Sequence, residues 1–210
     1  MPSLPTGCDN AAFPACPSLA RPAQRAFVSA LQRIPANEIH AAIDRLAQAI
    51  AKRHGPKGKI LLLGIANGGI VLARRLALRL ASLAPGLRIS PGILDISFHR
   101  DDIGRNPIPK EFAPTLIPVD VTGADVVLVD DVLFSGRTIK AALNELFDHG
   151  RPAKVELAIL IDRGLRRLPV AADYIGLSMD ASLDSKVVVK LDPAKFDRDL
   201  VEVIAAKPRL

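Results

Sequence analysis

Short, wholly apolar runs of strand length alternate with amphipathic stretches of helical period along most of this chain. A strand with no polar side must be covered on both faces, and few architectures provide that cover. Such runs stand at 60–63, 126–129 and 155–161, with further β-like stretches at 93–98, 115–118, 174–177, 186–191 and 200–204. Between them, Ile39, Ile43, Leu46 and Ile50 share one face of a helix predicted over 38–54. Asn37 is placed to cap it, Glu38 suits its positive end, and Lys52 and Arg53 suit its negative end before Gly55. Further helices are expected over 24–34, 70–82 and 138–149. Strand and helix in alternation predict an α/β fold, a mostly parallel twisted sheet flanked by helices on both faces. One domain over 36–205 accommodates it. Residues 1–35 form an extension, and its Pro- and Ala-rich start, 1–20, lacks periodicity and reads as poorly ordered. No internal repeat is visible.

Composition narrows the setting. The two cysteines, Cys8 and Cys16, stand in the extension without further Cys or His at zinc spacing. Prolines interrupt every apolar run near the start, and the longest apolar stretches are far too short to cross a bilayer. A cytoplasmic protein is expected. The net charge of +6 favours anionic partners, and the scatter of basic residues along the chain argues against a dedicated nucleic-acid arm.

The segment Val126-Val-Leu-Val-Asp-Asp-Val-Leu-Phe-Ser-Gly-Arg-Thr138 carries the chemistry. A buried strand ends in Asp130 and Asp131, and the loop Phe134-Ser135-Gly136-Arg137 turns into a helix near Thr138. Unpaired amides at a helix start, a glycine that permits close approach and the Ser135 and Thr138 hydroxyls together make a phosphate cradle. The carboxylates repel a phosphate, but they accept hydrogen bonds from a sugar diol or neutralise a magnesium ion. A ribose 5-phosphate satisfies both ends. No Gly-Lys-Ser/Thr ending and no G-x-G-x-x-G after a strand is present.

This run resembles the 5-phosphoribosyl-1-pyrophosphate (PRPP) motif of type I phosphoribosyltransferases. It is similar above all to the PyrR family, whose members join uracil phosphoribosyltransferase activity to control of pyrimidine genes. The resemblance extends over 39–204 and includes Leu94-Asp-Ile-Ser-Phe-His-Arg-Asp-Asp102, Ile117-Pro-Val-Asp120, Gly150-Arg-Pro152, Leu160-Ile-Asp-Arg-Gly164, Leu168-Pro169 and Ala172-Asp-Tyr-Ile-Gly176. It implies a small C-terminal hood over the sheet, to which 187–191 contributes. It also implies PRPP, uracil and UMP as ligands, Mg2+ as cofactor, and a homo-oligomer.

Several roles follow from the resemblance. Ala66, Asn67, Gly68 and Gly69 match the pyrophosphate turn, although relatives often carry a basic residue there and this chain does not. The polar segment 99–113 matches a flexible catalytic loop, with Arg100 as the leading phosphate contact and Arg105 and Lys110 as helpers. His99, where relatives usually have Tyr, is either a ligand contact or an exposed loop residue. Asp101 and Asp102 either bridge magnesium through water or solvate the loop. Asp162 and Arg163 fall on the base side, where Arg163 either meets substrate or pairs with Asp162. Asp130 and Asp131, with Arg100, are the implied catalytic residues. Leader RNA, bound by some relatives, is disfavoured here. Arg166 is retained and Arg167 added, but Leu165, Ala171 and Leu177 are apolar where a His or basic residue is expected, and Asp44 and Gln48 occupy the helix positions that match a Thr and a His of RNA-binding relatives.

Overall fold

Alternation along each strand decides which core its residues enter. In β2 (Lys59–Ile65), Ile60 and Leu62 face one cluster while Leu61, Leu63 and Ile65 face another. In β4 (Asp125–Leu133), Val127 and Val129 join the first and Val126 and Leu128 the second. Both faces are dry, so the two-residue period is hidden beneath a continuous apolar run.

The structure is a computed structural model and describes residues 33–99, 114–180, 182–183 and 185–205. Its main sheet also contains β3 (Arg88–Leu94), β5 (Lys154–Asp162) and β6 (Tyr174–Ser178), in the order β3-β2-β4-β5-β6 with every pair parallel. Helices α1 (Ala36–His54) and α2 (Gly68–Leu83) close one face through residues such as Ile39, Leu46, Leu72 and Leu76. Helix α3 (Arg137–Asp148) closes the other through Ile139, Ala142 and Leu146. The expected parallel sheet with helices on both faces is the one observed.

The hood is a three-stranded antiparallel sheet in the order β1 (Arg33–Pro35), β8 (Leu200–Ala205), β7 (Ser185–Lys190). Val187, Val201 and Val203 join it to the core beneath α1. A buried ion pair between Arg75 on α2 and Asp199, just before β8, clamps it to the domain, and Phe196 lies 4.1 Å from the guanidinium carbon.

Several boundaries differ from the sequence reading. Arg33 and Ile34 are extended, not helical; Ile34 precedes a proline, which disfavours the α conformation, and it pairs with Val201. Residues 24–32 of that expected helix lie outside the described residues. Helix α1 starts at Ala36 with Pro35 at the capping position and no side-chain cap, so Asn37 is inside the first turn. The strand expected over 93–98 runs instead from Arg88 to Leu94, because Ser90-Pro91-Gly92, which reads as a turn, is tolerated on an edge strand. Of 115–118, Leu116 makes an isolated antiparallel bridge to Ile93. No helix among the described residues is long and apolar enough to cross a membrane.

Candidate active site

Since β2, β4 and β5 are adjacent and parallel, the turns that follow them stand side by side at the carboxyl edge of the sheet. Ligands of open α/β sheets collect at that edge. Strand β4 is longer than its apolar run, so Asp130 and Asp131 belong to the strand and do not follow it. Asp130 is only 5% exposed, and its Oδ1 accepts the backbone N–H of Asp131 at 3.0 Å. Burial holds both carboxyls above the ordinary carboxylate range, and the neighbouring Asp131 raises Asp130 further.

The turn after β2 packs against that pair. The Ala66–Asn67 peptide is cis, and α2 begins at Gly68. A Cβ on Gly68 would lie 2.5 Å from the Asp131 carboxylate, and one on Gly69 would strike the Val129 carbonyl. Glycine is therefore required twice for different reasons. Gly69 lets helix and strand backbones touch, and Gly68 keeps the space in front of a carboxylate open. The structure brings Gly68 and Gly69 of the expected pyrophosphate turn directly against the acidic pair.

The loop after β4 leads into α3. Gly136 has φ 89°, a left-handed conformation at the helix entrance that suits glycine, and the Arg137 N–H points to Ser135 Oγ at 3.4 Å. The first turn of α3 carries no acidic residue to compete for its free amides. The Arg167 and Leu168 N–H groups reach the Ser135 carbonyl at 3.1 and 3.0 Å, while Leu168 and Val170 back Gly136. Phe134, Ser135 and Gly136 are thus fastened to the segment that follows β5.

Arg166 is the main fastener. Its guanidinium donates to the carbonyls of Leu133, Phe134, Gly164 and Val170 at 3.0–3.2 Å and pairs with Asp162 at 2.6 Å. It joins the loops after β4 and β5. The sequence marked Arg166 only as a basic residue on a potential RNA face; an acid–base spacing of four outside a helix carries no local signal. Asp162 is consequently taken by Arg166. Arg163, 5% exposed, donates to the Ser182 carbonyl at 2.9 Å and stacks with its guanidinium carbon 4.1 Å from the Phe134 ring centroid. Burial draws its pKa below the usual arginine range.

His99 is not an exposed loop residue. Its Nε2 lies 3.2 Å from Glu145 Oε2 and 3.1 Å from Asp148 Oδ2, both on α3. Arg100, Asp101, Asp102, Arg105 and Lys110 lie outside the described residues, as do Cys8 and Cys16.

A parallel α/β sheet under an antiparallel hood, with glycine turns beside a carboxylate pair at its carboxyl edge, is the architecture of the type I phosphoribosyltransferase fold. The chain belongs to the phosphoribosyl transferase domain family, whose match spans residues 30–192. Solved structures share the fold at low identity. The hypoxanthine phosphoribosyltransferase of Trypanosoma cruzi aligns with TM-score 0.59 at 19% identity, covering 82% of this chain and 95% of that one. A hypoxanthine-guanine phosphoribosyltransferase of Bacillus anthracis gives 0.59 and 19%, covering 81% and 96%. Within the family this is a PyrR-like chain. It is 47% identical over 161 residues to the bifunctional protein PyrR of Chloroflexus aurantiacus, covering 76% of this chain and 87% of that protein. It is also 47% identical over 173 residues to that of Streptomyces coelicolor, covering 81% and 87%.

Proposed function

We propose that the chain transfers the phosphoribosyl group of PRPP to uracil, giving UMP and pyrophosphate, and takes part in controlling pyrimidine biosynthesis. The observation that carries this reading is the Asp131 carboxylate facing the gap at Gly68, beside the start of α3. The ribose 5-phosphate sits on the amides and hydroxyls of Ser135 to Thr138, its diol meets Asp130 and Asp131, and its pyrophosphate lies over the turn Ala66 to Gly69. Displacement at C1 passes through an oxocarbenium-like state, so the reaction needs positioning and charge and no covalent nucleophile.

Two carboxyls pushed up by burial, one of them also by its neighbour, sit in a site whose charge a divalent cation would offset, so the residues fit Mg2+ brought in by PRPP. Asp130 and Asp131 would hold it, and when bound it would supply charge neutralisation for the departing pyrophosphate. Arg100, from outside the described residues, adds positive charge to that leaving group. Asp162 and Arg163 frame the base side, where the buried Arg163 guanidinium stacks on the half-buried Phe134 ring. A homo-oligomer is part of the same reading, by likeness to the PyrR relatives.

The competing reading, a UMP-responsive RNA attenuator with little catalysis, has less support. Arg166 spends its guanidinium on main-chain carbonyls, and Asp44 pairs with Arg79 at 2.9 Å. Incubating the protein with PRPP, Mg2+ and a panel of bases, while following nucleotide and pyrophosphate, tests the proposal. UMP formation from uracil supports it, and absence of any nucleotide product refutes it. Tight UMP-dependent binding of leader RNA in a gel-shift, without turnover, would favour the attenuator.

A further inference from the structure

We propose that His99, Glu145 and Asp148 form a binding site for a divalent transition-metal ion of the zinc type, separate from the sugar-phosphate site. One ligand atom from each of the three lies within 4.8 Å of the others. The distances from His99 Nε2 to Glu145 Oε2 and Asp148 Oδ2, 3.2 and 3.1 Å, are the more telling fact. Ligands bonded at about 2.0–2.1 Å to a tetrahedral ion stand about 3.3–3.4 Å apart, so the His99 ring need draw back from the two oxygens by only a few tenths of an ångström to admit the ion.

Glu145 is oriented for this. The Thr115 hydroxyl accepts the Asp95 N–H at 3.0 Å and donates to Glu145 Oε1 at 2.8 Å, and His149 Nε2 reaches the same oxygen at 3.1 Å. With Oε1 engaged twice, Oε2 is the atom presented to His99, an arrangement in which outer hydrogen bonds aim a metal ligand. The His99 N–H is tied to the Ile96 carbonyl at 3.0 Å, which limits the backbone's freedom at the histidine. Asp148 is 67% exposed, which leaves an entry path and room for a water as fourth ligand.

One neutral imidazole with two carboxylates is a nitrogen–oxygen set that suits Zn2+ or Co2+, whereas Mg2+ and Ca2+ favour oxygen alone. Glu145 and Asp148 lie eight and eleven residues beyond Arg137, about 12 and 16 Å along the helix at its usual rise. The ion would therefore sit well away from the phosphate loop, joining α3 to the segment that follows β3. Without a metal, the His99 ring contacts the two carboxylates directly, and the experiment must separate this arrangement from metal binding.

The full chain carrying Cys8→Ser and Cys16→Ser, which removes thiolate ligands, is titrated with Co2+ and then Zn2+. The expected result is one equivalent of Co2+ giving a visible band of low-coordinate intensity, displaced by Zn2+ but not by excess Mg2+. His99→Ala and, separately, Asp148→Asn are expected to lose at least tenfold in Co2+ affinity. Asp148 is exposed, so its variant tests the ligand without threatening the fold. Absence of the band, displacement by Mg2+, or wild-type affinity in either variant overturns the proposal.

Discussion

Removal of Arg166 separates a structural fastener from a surface charge. Its guanidinium makes four hydrogen bonds to carbonyls at the end of β4 and in the segments after β4 and β5, plus the 2.6 Å contact to Asp162. Hydrogen bonds to a charged group contribute about 1.5–3 kcal/mol each, but they are not additive when one side chain makes them all. The side chain is 22% exposed, so water would reach part of the vacated space. Arg166→Ala is expected to cost about 2–3 kcal/mol in total. In a domain of this size that lowers Tm by about 5–10 °C. Loss of the tie also frees the loop 134–136, so KM for PRPP should rise about tenfold, equivalent to 1.4 kcal/mol, with a smaller fall in kcat. Arg166→Lys keeps the charge without the planar fork and should recover less than half of either loss. Thermal melts and steady-state kinetics with varied PRPP provide the check. An alanine variant with unchanged Tm and unchanged KM would refute the fastening role and restore Arg166 as a residue available to RNA.

Asp131→Asn should lower kcat by about a hundredfold or more while the fold persists, and unchanged kinetics would defeat the assignment. The same variant should melt higher than the parent. Burial raises this carboxyl in the folded chain, so its ionisation opposes folding as pH climbs from the ordinary carboxylate range through the raised value; the gain in Tm should be present at neutral pH and vanish in acid. Gly68→Ala and Gly69→Ala should part company. The first meets the movable end of Asp131 and should reduce turnover with little change in Tm, whereas the second meets the Val129 backbone and should destabilise by about 1–3 kcal/mol or more in denaturant melts. Asp199→Ala leaves Arg75 buried without its carboxylate and should cost about 3–5 kcal/mol by the same measurement.

What the sequence disclosed about this molecule follows how local each cause is. The run from Val126 through Thr138 states a strand, an acidic pair and a loop in consecutive residues, so the elements and their order were legible. So were α1 and the hood strands at 185–190 and 200–205, whose periodicity or β-branching is continuous. Strand β3 was misplaced because an edge position tolerates Pro91 and Gly92, and edge status is decided by the strands that pair elsewhere. Ile34 needed β8, over 160 residues later, to reveal itself as a strand. Arg166 shows the same limit within the site: its carbonyl partners have no side-chain identity, so no residue pattern could announce them. His99 met two acids on α3 that its own neighbourhood does not contain.

The pairing of β1 with β8 places the beginning and the end of the described chain in neighbouring positions, with Arg33 opposite Glu202 and Pro35 opposite Leu200. Termini that emerge together are the usual condition for circular permutation. A short Gly-Ser linker from the residues after Ala205 back to Arg33 would let the backbone be reopened elsewhere, for instance at the Gly123 turn. An expression clone trimmed to start at Ala36 would strip an outer strand from the three-stranded sheet and uncover Val201, so trimming for crystallisation should stop short of Arg33.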